Sequence, residues 1–249
     1  MSEWIYGIHA VLEALRAGRR PVARVLLLAG RSDARLRAVI EAARERGARV
    51  ERRPGDELRR LAGQGAAHQG VAALVEGAAY TPVEEILAGA GRPELFVVLD
   101  SVEDPRNLGA AIRSAAAAGA GGLFVPERRA AGLTPACLKA AAGAAERLPI
   151  GRIGNVVAFL KQLKDKGIWV AGLDPDGETP WTGFDFSQPV ALVLGGEGRG
   201  LRRLARETCD QVLSIPLAGG VPSLNLSVAA GVVLFEAVRQ RRAPPVKVF

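Results

Sequence analysis

The strongest constraint on the fold is a series of short apolar runs that begins at residue 95. Residues 95–99, Leu-Phe-Val-Val-Leu, are apolar at every position, as suits a strand covered on both faces. Residues 122–125, 168–173, 190–194 and 212–215 repeat the pattern, and helical periodicity lies between most of them. Such alternation predicts a parallel sheet flanked by helices, with ligand sites at the carboxyl ends of its strands.

The first 75 residues alternate in the same way on a smaller scale. Residues 8–15 have helical apolar spacing and meet a stop at Gly18, 22–28 are a β-rich run, and 33–46 are amphipathic and end at Gly47. Asp56 is placed to cap a helix through Leu61, and 70–75 read as a strand. Residues 76–93, with Pro82, Gly89, Gly91 and Pro93, read as a linker carrying one short helix at 83–87. The expected organisation is an α/β domain over 1–75, a linker over 76–93 and a larger α/β domain over 94–249.

Composition narrows the function. With 249 residues, 49% of them apolar, the chain has material for a proper core. No run approaches the roughly 18 apolar residues of a membrane span, and the amino terminus lacks the regions of a signal peptide. A cytoplasmic protein without a membrane partner is expected. The two cysteines, Cys137 and Cys209, have neither CxxC spacing nor a neighbouring histidine; they read as packed thiols, and no metal is expected. The net charge of +7 favours an anionic partner. Residues 1–75 carry +6 of it, 94–249 carry +3 and the segment between is acidic. Arginine suits bidentate phosphate contacts, although a GC-rich genome enriches it equally.

Three stretches can carry chemistry. In Asp104-Pro-Arg-Asn-Leu-Gly-Ala-Ala-Ile-Arg113, an Asx-Pro turn follows the first strand, Asn107 is a competent cap and the helix runs from about Leu108 to Gly119. Arg113 then stands alone on a small, apolar helix; it is either a solvated side chain or a grip on a phosphate or reacting hydroxyl. Leu194-Gly-Gly-Glu-Gly-Arg-Gly-Leu201 follows a strand, and its glycines allow a ligand close to the backbone. It fits neither a dinucleotide fingerprint nor a P-loop; the plain alternative is a tight turn with Glu197 exposed. Just beyond, Arg199, Arg202, Arg203 and Arg206 have helical spacing and form either a stripe tracking RNA or a solvated face. In Ile215-Pro-Leu-Ala-Gly-Gly-Val-Pro-Ser-Leu-Asn-Leu-Ser227 a strand end leads into a helix that Asn225 can cap. That helix, 228–238, is apolar nearly all round, which implies burial, against a second subunit among other options. His9 and His68 sit in no nucleophile motif, and Trp4, Tyr6 and Tyr80 are either core aromatics or base-stacking groups.

In their order and spacing these stretches resemble the three motifs of the SpoU branch of the SPOUT superfamily, RNA ribose 2'-O-methyltransferases, and in particular the bacterial 23S rRNA (guanosine-2'-O)-methyltransferases. Residues 6–15 and 68–71 resemble the substrate-binding domain of those enzymes. The resemblance implies a small L30-like α/β domain followed by an α/β trefoil-knot methyltransferase domain, a homodimer packed through the knotted region, and S-adenosyl-L-methionine as cofactor. Carried over by motif position, Asn107, Arg113, Glu197, Ser223 and Asn225 are its catalytic residues, and Gly195, Gly196, Ile215 and Leu224 hold the cofactor. Three rivals remain: a tRNA ribose methyltransferase, a non-catalytic ribosome-assembly factor on the same fold, and a doubly wound metabolic enzyme acting on a small anion.

Overall fold

The structure is a computed structural model of the chain that describes residues 2–63, 68–76, 80–89, 94–128, 130–196 and 200–242. It divides into two compact units, residues 1–79 with 142–147, and 80–141 with 148–249.

The first unit contains β1 (Ser2–Tyr6), α1 (Ile8–Ala17), β2 (Val22–Leu28), α2 (Ala34–Glu45), β3 (Arg49–Arg53), α3 (Gly55–Ala62) and β4 (Val71–Glu76). Its sheet has the order β1-β4-β2-β3, with β4 antiparallel to both neighbours and β3 parallel to β2 at the edge. Gly18 ends α1 in the left-handed region at φ 62°, and the Asp33 carboxylate caps α2 by accepting from the N–H groups of Arg35 and Leu36. Three elements differ from expectation. β1, Ser-Glu-Trp-Ile-Tyr, was not anticipated and is an edge strand paired to β4. β3, Arg-Val-Glu-Arg-Arg, is too polar to signal a strand by pattern, yet an edge tolerates charge. At α3, Pro54 occupies the cap position with extended backbone, so the helix starts at Gly55 and Asp56 lies in its first turn instead of capping it.

The His68-Gln-Gly stretch serves this architecture. Gln69, at φ 52°, accepts from the Ile8 N–H at 3.0 Å through Oε1, supplying the cap that Gly7 cannot, and His68 Nδ1 accepts from the Gly70 N–H. Residues 142–147, expected in the larger domain, complete the first unit. There Arg20, 7% exposed, donates to Glu146 through Nε (2.9 Å) and Nη2, and to Glu3 through Nη1 (2.6 Å). A buried guanidinium flanked by two carboxylates needs both.

The second unit opens with α4 (Val83–Gly89) and continues through β5 (Leu95–Leu99), α5 (Pro105–Ala117), β6 (Gly122–Pro126), α6 (Pro135–Ala141), β7 (Ile150–Ile153) and α7 (Val156–Asp165). It ends with β8 (Trp169–Leu173), β9 (Thr179–Pro180), β10 (Val190–Leu194), α8 (Arg203–Thr208), β11 (Gln211–Ser214) and α9 (Leu226–Arg242). The strands pair in parallel in the order β7-β6-β5-β10-β8-β11-β9. β7 and β9 were not anticipated, since Ile-Gly-Arg-Ile and Thr-Pro are too short or polar to register. Phe96, Phe124 and Phe159 stack at centroid distances of 5.7 and 4.5 Å inside a core shared with Ile86, Val98, Leu160, Val193 and Ala205. Ile86, 2% exposed, brings residues 80–89 into this unit, so that part of the expected linker is a packed helix. Among the described residues no helix is long and apolar enough to cross a membrane.

Candidate active site

Three chain segments meet at the carboxyl ends of the second sheet. α5 begins earlier than the motif suggested: Asp104 is its cap, accepting from the Arg106 N–H at 2.8 Å, and Pro105, whose missing N–H costs nothing there, is its first residue. Asn107, expected as the cap, is therefore inside the first turn and bonds elsewhere. Its Oδ1 accepts from Asn225 Nδ2 at 3.0 Å. Asn225 Oδ1 in turn accepts from the Ser227 N–H at 2.9 Å and hydroxyl at 2.6 Å, capping α9. Two motifs 118 residues apart thus share one hydrogen bond, and α5 packs against α9 beyond it.

The glycine turn after β10 is closed by its own backbone. Gly196 N–H donates to the Gly200 carbonyl at 3.1 Å. A Cβ on Gly195 would stand 2.0 Å from the Gly200 carbonyl carbon, so no larger residue fits there without opening the turn, and one on Gly196 would stand 2.5 Å from Ser101 Oγ and require that side chain to move. Glu197 and Arg199 lie outside the described residues.

Two carboxylates that sequence reasoning missed hold the turn's exit. Asp174, 7% exposed, accepts from the Leu201 N–H at 3.0 Å, the Asp176 N–H at 3.1 Å and Arg206 Nη1 at 2.8 Å. Asp100, 1% exposed, accepts from the Arg202 N–H at 2.8 Å and its Nε at 2.9 Å. Both were signalled in one way: each directly follows the last apolar residue of a strand run, Leu99 or Leu173. The arginine stripe is corrected accordingly. Arg202 and Arg206 are turned inward onto these carboxylates, and Arg203 pairs with Glu207 at 2.8 Å, so the described members do not form a free cationic face.

Between the turn 174–176, the glycine turn, residues 215–217 and 222–224 lies a cavity of about 370 Å³. Of the nine residues singled out from sequence, Gly195, Gly196, Ile215, Ser223 and Leu224 line it. Asn107 and Asn225 are joined at the helix starts and do not line it. Arg113 is exposed on α5, and with the described residues it makes neither hydrogen bond nor ion pair. Burial pushes the thiols of Cys137 and Cys209 up to about 12, which removes both as nucleophiles at neutral pH. Among the described residues no group of His, Cys, Asp or Glu is placed to hold a metal ion.

A model of the SpoU rRNA methylase family matches residues 94–235, and one of the RNA 2'-O ribose methyltransferase substrate-binding domain matches residues 4–81. The chain belongs to the SpoU rRNA methylase family. It joins a substrate-binding domain to an α/β methylase domain. It is 43% identical over 247 residues, 99% of each chain, to the 23S rRNA (guanosine-2'-O-)-methyltransferase RlmB of Ralstonia nicotianae. The SpoU methyltransferase AviRb of Streptomyces viridochromogenes, solved in complex with the cofactor AdoMet, superposes with a TM-score of 0.81 at 31% identity, covering 96% of this chain and 90% of that one. The TrmH/SpoU tRNA modifying enzyme of A. aeolicus reaches a TM-score of 0.56 at 29% identity and covers 63% of this chain and 79% of its own.

Proposed function

We propose that this SpoU methylase is a cytoplasmic homodimer that transfers a methyl group from S-adenosyl-L-methionine to the ribose 2'-hydroxyl of a guanosine in 23S rRNA. The observation that carries the reading is the convergence of Gly195, Gly196, Ile215, Ser223 and Leu224 on one cavity. The cavity suits the cofactor in three respects. Its volume is that of a small-molecule site, Leu173, Leu194, Leu217 and Leu226 give it apolar walls, and Asp176 puts a carboxylate beside it where a sulfonium would be welcome, Asp174 being paired with Arg206. When bound, the cofactor supplies an electrophilic methyl group. The chain's part is alignment of the attacking hydroxyl, an effect worth several orders of magnitude in rate.

Arg113 is the residue we assign to the RNA. A guanidinium stays protonated at any ordinary pH, so its fitting role is to bind the target phosphate and orient the hydroxyl; Asn107, Glu197, Ser223 and Asn225 shape the surroundings. The rRNA reading is favoured over tRNA by the full-length match to RlmB and by the substrate-binding domain at residues 4–81. The dimer is supported by α9: Val228 and Phe235, one face of that helix, are each 51% exposed, and Val221 before it is 54% exposed. Large apolar side chains exposed along one helix face suit a contact surface.

The test is transfer of labelled methyl to unmodified 23S rRNA and to bulk tRNA, with Arg113→Ala and Arg113→Lys alongside. Label on one rRNA ribose, reduced about 100-fold in both variants, is expected. Label on tRNA alone moves the enzyme to the sister substrate, no label on any RNA removes the activity, and near wild-type turnover by Arg113→Lys overturns the geometric role of the guanidinium.

A further inference from the structure

The first sheet carries a surface that the methylation chemistry does not use. Strand register sets Trp4 beside Leu74, Leu74 beside Arg24 and Arg24 beside Arg49. Residues paired across neighbouring strands point to the same side, so these four form one row across all four strands. The opposite side, with Ile5, Val25 and Val75, is buried. α3 shares the side of the row, since Gly55 at its start meets Leu28, two alternations on from Arg24, and it touches β1, β4 and β2 while leaving every member of the row at least partly exposed. The side chains of Arg49 and Arg24 are 76% and 43% exposed, and Trp4 and Leu74 are half-buried.

Charge and shape together say what fits. Glu51, in the next row, takes Arg49 at 3.0 Å, Arg24 at 3.6 Å and Arg53 Nε at 3.2 Å. Glu51 therefore holds three guanidinium groups, and with Glu57 also acting on Arg53 the positive charge left over sits on Arg24 and Arg49, which share one carboxylate. The Arg53 hydrogen bond holds Glu51 well below the usual carboxylate range, so the arrangement persists at all but acid pH. The excess positive charge at Arg24 and Arg49 calls for phosphate, and the indole and guanidinium planes beside it call for unstacked bases. A duplex presents the first without the second; a single strand presents both.

We propose that the row Trp4, Leu74, Arg24 and Arg49 docks a single-stranded segment of the RNA substrate, Arg24 and Arg49 on its phosphates and Trp4 against a base. The proposal rests on RNA being the substrate and adds where, and in which form, the first unit holds it.

Binding of a labelled mixed-sequence single-stranded oligoribonucleotide, and of a fully paired RNA duplex, to the full chain tests it by fluorescence anisotropy over a salt series. The double variant Arg24→Gln, Arg49→Gln is compared with Arg37→Gln, Arg44→Gln, which removes equal charge from exposed positions of α2. The first pair is expected to weaken single-strand binding at least tenfold more than the second and to flatten the log–log salt slope by about 1.4, as two lost phosphate contacts require. Trp4→Leu is expected to weaken binding about tenfold, with Trp4→Phe recovering most of it. Equal losses from the two arginine pairs, or a duplex bound as tightly as the single strand, would overturn the proposal. Methyl transfer keeps the two readings apart. A raised KM for RNA with unchanged kcat and cofactor affinity in Arg24→Gln, Arg49→Gln supports the surface. Unchanged KM in an enzyme that methylates RNA sinks the surface alone, and absence of transfer by the unaltered enzyme sinks the activity.

Discussion

Asp100 is 1% exposed, and one residue, Arg202, satisfies it through its backbone N–H, its Nε and its Nη2. A buried carboxylate deprived of side-chain donors keeps its desolvation penalty without the compensation. Arg202→Met is therefore expected to lower unfolding stability by about 2–3 kcal/mol in urea titration and to weaken S-adenosyl-L-methionine binding, because the glycine turn loses its anchor. Arg203→Met, which releases only the exposed Glu207, is expected to change stability by less than about 1 kcal/mol. The thiols give a second test at this scale. With Cys137 and Cys209 both pushed up to about 12 by burial, the thiolate fraction of the folded protein is negligible at pH 8. Iodoacetamide is expected to label neither in the native state and both after denaturation, and rapid native labelling would contradict the burial.

At the scale of elements, the starts of α5 and α9 depend on one another through the Asn107–Asn225 hydrogen bond. Asn225→Ala removes the α9 cap and leaves Asn107 without its partner, so a loss of about 1–2 kcal/mol is expected, together with reduced methyl transfer since Ser223 and Leu224 lie immediately before the cap. Thermal unfolding and turnover measured together check this; full activity in a destabilised variant would detach the cap from the site. The sequence foretold α9, β5 and β10 because their apolar patterns are long or unbroken. It misassigned the α5 cap because Asp104 and Asn107 are equally good caps by type, and only the Pro105 backbone and the Arg106 N–H decide between them. β3 escaped because three of its five residues are arginine; edge pairing with β2 overrides the composition.

At the scale of the molecule, α9 keeps Val228 and Phe235 half-exposed although the helix is apolar nearly all round. If the proposed dimer forms through α9, Phe235→Arg shifts it to monomer in sedimentation velocity and reduces methyl transfer while leaving the fold intact; a monomeric unaltered protein would overturn the dimer, and a dimer that persists in the variant would locate the interface elsewhere. The sequence pattern predicts a domain over 1–75, a linker over 76–93 and a domain over 94–249, whereas the compact units divide at 79/80 and 142–147 joins the first; that return is not legible along the chain, because it accompanies Arg20 finding Glu146 across 126 positions of sequence.

By itself the sequence determined the α/β class, the parallel character of the second sheet and the three motifs that carry the family, since all of these are local patterns of apolar spacing, glycine and caps. Tertiary structure alone decided which of those residues meet. It turned Arg202 and Arg206 inward onto Asp100 and Asp174, joined Asn107 to Asn225, and aligned Trp4, Leu74, Arg24 and Arg49 in one row. Each of these is a pairing between distant segments, set by strand order and register, and no spacing along the chain encodes it.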